Sequence, residues 1–220
     1  SSKVVDNNFS DIISNLIKKN SYINHYIYVH ISRGTDSKRN HVFNKKSNPT
    51  IVIMGENYKP FEESEIKLGK KAIIEEDYRW LKSNIKSTSL LANVMLKNHA
   101  NDNNAYEALL LREGQLTEGS ASNVFIVKDD VIKTPKLSNK LLPGITRKFL
   151  TDLIEENSLR FSECDISESE LFDADEIFCS SSTNPVVPIV RINNEIISDT
   201  AGPVSMGLYY LAKSFITNFK

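Results

Sequence analysis

The stretch Trp80-Leu81-Lys82-Ser83-Asn84-Ile85-Lys86-Ser87-Thr88-Ser89-Leu90-Leu91 decides how the chain is read. An apolar, β-leaning run, Ala72-Ile73-Ile74, lies just upstream. A helical pattern begins just after it, with Leu90, Leu91, Val94 and Met95 at i, i+3 and i+4 spacings. Ser87, Thr88 and Ser89 are of the N-cap type for that helix. Lys86 is therefore expected where a strand hands over to a helix, a common place for a site in a mixed α/β protein. Position alone decides little, because a lysine at such a boundary is more often a solvated surface group.

Downstream, residues 107–111 read as a strand that Glu113-Gly114 turns back into Gln115-Leu116-Thr117-Glu118. Residues 123–127 and 131–134 form a hairpin around Lys128-Asp129-Asp130. Leu142-Pro143-Gly144-Ile145-Thr146 leads into a helix with Phe149, Leu150, Leu153 and Ile154 on one face. Residues 159–165 are extended, and 176–179 form a strand that ends in Ser180-Ser181-Ser182-Thr183. Two short strands flank an Asn193-Asn194 turn. The last helix starts at Pro203, a favoured first helical position, and turns Val204, Leu208, Leu211 and Phe215 inward.

Upstream, Phe9, Ile12, Ile13, Leu16 and Ile17 mark an amphipathic opening helix. Residues 26–31 and 50–54 are strands on either side of a polar loop, and Gly55-Glu56-Asn57-Tyr58-Lys59-Pro60 is the best linker candidate. Strands in hairpins with interspersed helices predict an α+β fold, built on a mixed α/β sheet rather than a doubly wound one. The division expected is 1–56 as the remainder of a small α/β domain, 57–62 as linker, and 63–220 as a large domain. So small a fragment as the first would expose much of its sheet.

The 220 residues, 40% hydrophobic and 25% charged with a formal net charge of -1, describe an ordinary soluble protein. There is no basic excess to attract nucleic acid or an anionic membrane, and no apolar run long enough to span a bilayer. Cys164 and Cys179 cannot make a disulfide framework and lack zinc-type spacing, so no metal site is expected. They read as buried small hydrophobes in a reducing, cytoplasmic setting. The opening Ser1-Ser2-Lys3, without an initiator Met, reads as processing or truncation.

Four segments together point to a phosphorylated, nitrogen-containing cofactor. Lys86 is a potential amine nucleophile toward a carbonyl, and a Schiff base is how proteins hold pyridoxal phosphate. Glu118, after the inward Leu116, can offer a carboxylate to a pyridine nitrogen, although a turn glutamate is usually solvated. Gly144-Ile145-Thr146 at a helix start offers free N–H groups and a hydroxyl to an anion, although such residues also serve as caps. Ser180-Ser181-Ser182-Thr183 suits a phosphate, and equally any polar loop.

Ile85-Lys86-Ser87, the block from Leu116 to Phe125 (Leu-Thr-Glu-Gly-Ser-Ala-Ser-Asn-Val-Phe), Leu142-Pro143-Gly144-Ile145-Thr146-Arg147 and Asp175-Glu176-Ile177-Phe178 with its Ser-Thr loop resemble, in order and spacing, the class IV aminotransferases. These are the fold-type IV pyridoxal-phosphate enzymes, among them D-amino-acid aminotransferase, branched-chain aminotransferase and aminodeoxychorismate lyase. The resemblance covers essentially the whole chain. It implies pyridoxal 5'-phosphate as cofactor, bound by the large domain. It makes Lys86 the Schiff-base lysine and general acid/base, and Glu118 the partner of the ring nitrogen. Ile145, Thr146, Ser181 and Ser182 would hold the phosphate, and Leu142 would lie against the ring.

Arg39-Asn40-His41 resembles the pair with which D-amino-acid aminotransferases bind the substrate carboxylate from a neighbouring subunit, so Arg39 and His41 are the expected substrate residues of a homodimer. A guanidinium beside an imidazole N–H makes a good carboxylate trap. Arg33-Gly34-Thr35 and Arg79-Trp80 match the same subfamily. The activity implied is transamination between a D-amino acid of the D-alanine type and a 2-oxo acid such as 2-oxoglutarate. The runners-up are branched-chain aminotransferase and aminodeoxychorismate lyase, and the alternative of another class is a truncated, non-catalytic homologue. The family begins with strands that have no counterpart here, carrying a tyrosine of the carboxylate trap and an arginine that grips the phosphate.

Overall fold

In the computed structural model, which describes residues 8–42 and 44–218, the chain parts between Pro60 and Phe61 into two units. The first starts with α1 (Phe9–Lys19), whose N-cap Asn8 accepts a hydrogen bond from Asp11 N at 3.3 Å. Asp11 in its first turn and Lys18 and Lys19 in its last both suit the helix dipole. Strands β1 (His25–Ser32) and β2 (Thr50–Asn57) pair antiparallel from His25↔Asn57 to Ser32↔Thr50. The ladder runs through Gly55, Glu56 and Asn57, so these residues extend a strand where the sequence read the start of a linker. Val29, Ile31, Val52 and Met54 are exposed on this two-stranded sheet.

The second unit holds α2 (Glu63–Leu68), β3 (Lys70–Glu76), α3 (Leu91–Asp102), β4 (Glu107–Arg112), β5 (Gln115–Gly119), β6 (Asn123–Lys128) and β7 (Val131–Pro135). It continues with α4 (Ile145–Glu156), β8 (Phe161–Cys164), α5 (Glu168–Phe172), β9 (Glu176–Ser180), β10 (Val187–Ile192), β11 (Glu195–Ile196) and α6 (Pro203–Asn218). The strands form one sheet in the order β5-β4-β3-β10-β9-β6-β7-β8, with β11 on β10. Parallel pairs (β3 with β4 and β10, β7 with β8) stand among antiparallel ones, so the sheet is mixed, as expected. Its two edges come back together. Leu116 N on β5 donates to Ile166 O at 2.8 Å, and Gln115 bridges Ser167 just beyond β8. The sheet therefore curls, and the short turn after Gly119 can pass from the edge strand β5 to the distant β6.

Alternation along the strands sorts the core. Leu109, Leu111, Leu116, Val124, Ile126 and Ile177 point to one face, into the curl. Phe125, Val127 and Phe178 point to the other, against Leu150 and Ile154 of α4 and Leu208 and Ala212 of α6. Ile73, Ala108 and Leu110 receive Leu96 and Ala100 of α3. Cys179 is fully buried and Cys164 half-buried, and both are free thiols.

Two helix faces differ from the sequence reading. The N-cap of α3 is Leu90, with no side-chain bond, rather than one of the serines or Thr88. Leu90, Leu91, Val94 and Met95 are exposed, Leu91 by 76%. The sheet beneath shelters Leu96 and Ala100 instead, and Asn93 turns the helix toward it by donating to Ser120 O at 2.8 Å. In α6 burial stops at Ala212, and Phe215 is half-exposed against Phe149 with ring centroids 4.9 Å apart. No helix among the described residues is long and apolar enough to cross a membrane.

Phe125 and Phe178 stack at 4.9 Å with an interplanar angle of 5°, both fully buried between the sheet and its two helices. Phe178→Ala should lower unfolding stability by about 3–5 kcal/mol, the range for emptying a buried aromatic site. Urea denaturation measures it, and a loss under about 1 kcal/mol would show that the cavity collapses.

Candidate active site

Glu118 sits near the end of β5 and is 5% exposed, so it is a buried carboxylate rather than a solvated turn residue. Its neighbours are donors. Oε1 accepts from Arg79 Nη1 at 2.5 Å, and Oε2 accepts from Leu142 N at 3.0 Å and Asn123 Nδ2 at 3.3 Å. Those three partners come from three separate sequence motifs. Arg79 belongs to the loop that carries Lys86, Asn123 opens β6, and Leu142 precedes α4.

The loop from Asp77 to Leu90 is longer than a strand-to-helix boundary, and Lys86 lies exposed within it. Its first half is fastened. Asp77 N donates to Leu111 O at 2.7 Å, Ser83 N donates to Asn139 O at 2.9 Å, and Asn139 Nδ2 donates to Leu81 O at 3.0 Å. Lys86 itself follows the small turn closed by Ile85 N on Lys82 O at 3.0 Å.

Asn123 also donates to Leu142 O at 2.9 Å and fixes that peptide from its other side. Its Oδ1 lies so near Gly144 that a Cβ there would come within 2.2 Å, so glycine is required at this N-cap. Among the described residues no side chain caps α4, whose first residues are the exposed Ile145 and the half-buried Thr146. Leu142 is half-buried beside them. Asn123 also pairs with Ser180 at the end of β9, which brings the Ser-Thr loop to the same end of the sheet. There Ser181 and Thr183 are half-buried and Ser182 is exposed. Ser180 Oγ is buried with no partner among the described residues.

These residues fit a ring that carries a phosphate. An uncapped 12-residue helix start and adjacent hydroxyls, one of them an orphan, make a donor-rich anion site. Glu118 offers a carboxyl fixed in orientation, and Lys86 an exposed amine. Arg39 and His41 are exposed on the β1–β2 loop of the first unit. Gly34 (φ 92°) shapes that loop, since a Cβ there would strike Asn48 O, and Asp36 ties it by accepting from Ser47 Oγ at 2.6 Å. Among the described residues, no group of three or more His, Cys, Asp or Glu could hold a metal ion.

The sequence reading assigned no role to Asp77, Arg79 and Asn123. Asp77 and Arg79 face each other through a two-pronged ion pair, Nε–Oδ1 at 2.8 Å and Nη2–Oδ2 at 3.0 Å. Arg79-Trp80 matched the subfamily without a role attached, and the Asp-x-Arg spacing close before the lysine does not distinguish a buried pair from two surface charges.

The profile of the amino-transferase class IV family matches residues 3–192. D-alanine aminotransferase from Listeria monocytogenes is 36% identical over 201 residues, which is 90% of this chain and 70% of that protein. The Escherichia coli branched-chain amino acid aminotransferase superposes with a TM-score of 0.81 at 22% identity, over 98% of this chain and 73% of that one. The branched-chain aminotransferase of the archaeon Thermoproteus uzoniensis, solved with norvaline, gives 0.81 at 23% identity, over 94% and 70%.

Burial pushes the Glu118 carboxyl up to about 7 from 4.5, against the pull of Arg79 and the Leu142 N–H. The folded chain thus holds this proton more tightly than the unfolded chain does. Stability from this group is full below about 4.5 and is lost as pH rises through about 7. Thermal unfolding of the protein free of cofactor should show that decline between pH 5 and about 8, and Glu118→Gln should flatten it. An unchanged slope in the Gln variant would assign the decline to another group.

Proposed function

The chain belongs to the class IV aminotransferases, and from that premise we propose that it moves an amino group between a D-amino acid of the D-alanine type and a 2-oxo acid such as 2-oxoglutarate. The observation that carries the reading is Glu118, a buried carboxylate onto which the segments bearing Lys86, Asn123 and Leu142 converge. The similarity to the Listeria D-alanine aminotransferase supports the choice of substrate class.

The group these residues would hold is pyridoxal 5'-phosphate, in the unit that begins at Phe61. Lys86, Glu118, Leu142, Ile145, Thr146, Ser181 and Ser182 would be its contacts. When bound, it supplies an electron sink for charge developing at the substrate Cα. Lys86 would carry the proton from that Cα to the cofactor carbon that takes up the amino group, and back again in the reverse half of the cycle. Glu118 holds negative charge where the ring nitrogen lies. The helix start at Ile145 and Thr146, with the hydroxyls of Ser181 and Ser182, binds the phosphate. Leu142 excludes water from the ring face. Arg39 and His41 receive the α-carboxylate, and a homodimer in the cytoplasm is the form in which they would do so.

Three experiments test this. Lys86→Ala should lose the cofactor mass that borohydride fixes to the wild-type protein, while its far-ultraviolet circular dichroism stays unchanged. A fixed mass at full stoichiometry in that variant would move the cofactor to another lysine. D-alanine should be turned over and L-leucine not, and the opposite preference would remove the D-amino-acid assignment. Arg39→Ala should raise KM for amino and oxo acids alike by roughly ten- to a hundred-fold, the loss of about 1.5–3 kcal/mol of charge-assisted binding, and should leave the absorbance of the bound cofactor unchanged.

A further inference from the structure

The proposed chemistry gives Arg79 no task, yet its side chain is held more completely than that of any proposed site residue. Nε and Nη2 grip both oxygens of Asp77 at 2.8 and 3.0 Å, and Nη2 also reaches Lys140 O at 3.1 Å. The main chain is held too. Arg79 N donates to Asp77 Oδ1 at 3.2 Å, and Arg79 O accepts from Arg112 Nη2 at 3.0 Å. Arg112 in turn stands 3.0 Å from Asp77 Oδ1, and Thr117 Oγ1 donates to Asp77 Oδ2 at 2.9 Å. With the rest fixed, Nη1 has one direction left, and Glu118 Oε1 lies there at 2.5 Å.

We propose that Arg79 is a positioning residue of the cofactor site: through Nη1 it fixes the Glu118 carboxylate, and through its own loop it ties that carboxylate to the segment presenting Lys86. The inference rests on the roles proposed for Lys86 and Glu118. Leu142 N and Asn123 Nδ2 both donate to Oε2, and Arg79 is the donor to Oε1. Without it, two donors on one oxygen leave the carboxyl free to swing, and loss of the guanidinium favours its neutral form further. The charged groups around Glu118 are Arg79, which favours the anion, and Asp77, which opposes it. Arg112 shares the neutralisation of Asp77. Arg79 stands seven residues before Lys86, with the Ser83–Asn139 contacts between them, so a shift at Glu118 is felt where the lysine is presented.

A double-mutant cycle on binding of pyridoxal 5'-phosphate tests this without reference to turnover. Titration of the cofactor-free protein, read by quenching of Trp80, the single tryptophan, gives the affinity. Arg79→Met should weaken binding about tenfold when Glu118 is present and less than about twofold in the Glu118→Gln background. Arg79→Lys, which keeps the charge and loses the fork, should recover part of the loss. An equal loss in both backgrounds, or none in either, would overturn the inference and leave Arg79 as a support of the fold. Where circular dichroism shows Arg79→Met unfolded, Arg79→Lys carries the cycle: about threefold weaker binding beside Glu118 and none beside Gln supports the proposal, and equal effects reject it. Wild-type protein that binds no pyridoxal phosphate would remove the cofactor reading itself, and this inference with it.

Discussion

Asp77, Arg79, Arg112 and Glu118 put two carboxylates and two guanidinium groups into a region from which water is nearly excluded, and the working end of the larger unit depends on how their charges are met. Desolvating each ion costs several kcal/mol, recovered only where hydrogen bonds fill the remaining sites. Asp77 comes close to that limit, taking bonds from the Arg79 side chain and backbone N–H and from Thr117, with Arg112 in ion-pair contact. Burial raises its carboxyl, but the paired arginines and Thr117 outweigh that and leave it below its ordinary value. Arg112 Nη1 is buried without a partner among the described residues, so the balance is not complete. Such a cluster adds little net stability compared with apolar packing. What it adds is geometry, because it joins the ends of β3 and β4, strand β5 and the loop before α4 at fixed distances.

The turn between β5 and β6 makes the second geometric demand. Because the sheet curls, the chain crosses from Gly119 to Asn123 in a few residues, and the backbone runs close to a buried acid. A Cβ on Gly119 would lie 2.3 Å from Ser122 Oγ and 2.9 Å from Glu107 Cγ. Glu107 is buried, and it takes the hydroxyls of Ser120 and Ser122, the latter at 2.8 Å. The small and hydroxylated residues of the Thr-Glu-Gly-Ser-Ala-Ser-Asn block therefore have a structural cause besides any ligand. Glycine admits the backbone, the serines satisfy Glu107, and Asn123 steadies the peptide of Leu142 on one side and Glu118 on the other.

Most of this was legible in the sequence where local chemistry decides the outcome. The Asp129-Asp130 hairpin, with both residues at positive φ, and the helix after Gly144 follow from turn and cap preferences. The mixed sheet followed from the order of hairpins and helices. The short helices α2 and α5 were missed although each has a capping box, Glu62 with Glu65 and Ser167 with Glu170, because their apolar pattern is too brief to show a period. The stripe at Leu91, Val94 and Met95 was visible, but periodicity reports that a helix has an apolar side and not what covers it. Arg79 was matched with Trp80 by resemblance, but its task and that of Asp77 were illegible for a different reason. Their importance lies in contacts with residues up to 61 positions away, which no local pattern encodes.

The two influences on Glu118 oppose each other, and that opposition gives the site its character. Burial favours the neutral acid, while the three donors that surround the carboxyl favour the anion. A carboxyl ringed by donors has no partner for an acid proton, so the geometry is built for the charged form even where solvation disfavours it. The resulting position near neutral pH means a single added positive charge can settle the matter. A protonated ring nitrogen would be such a charge, and it would meet an anion whose orientation is already fixed from the side of Arg79 and from the side of Leu142. The surrounding protein then need not reorganise to receive it, which is the condition under which a buried charge helps chemistry rather than hindering folding.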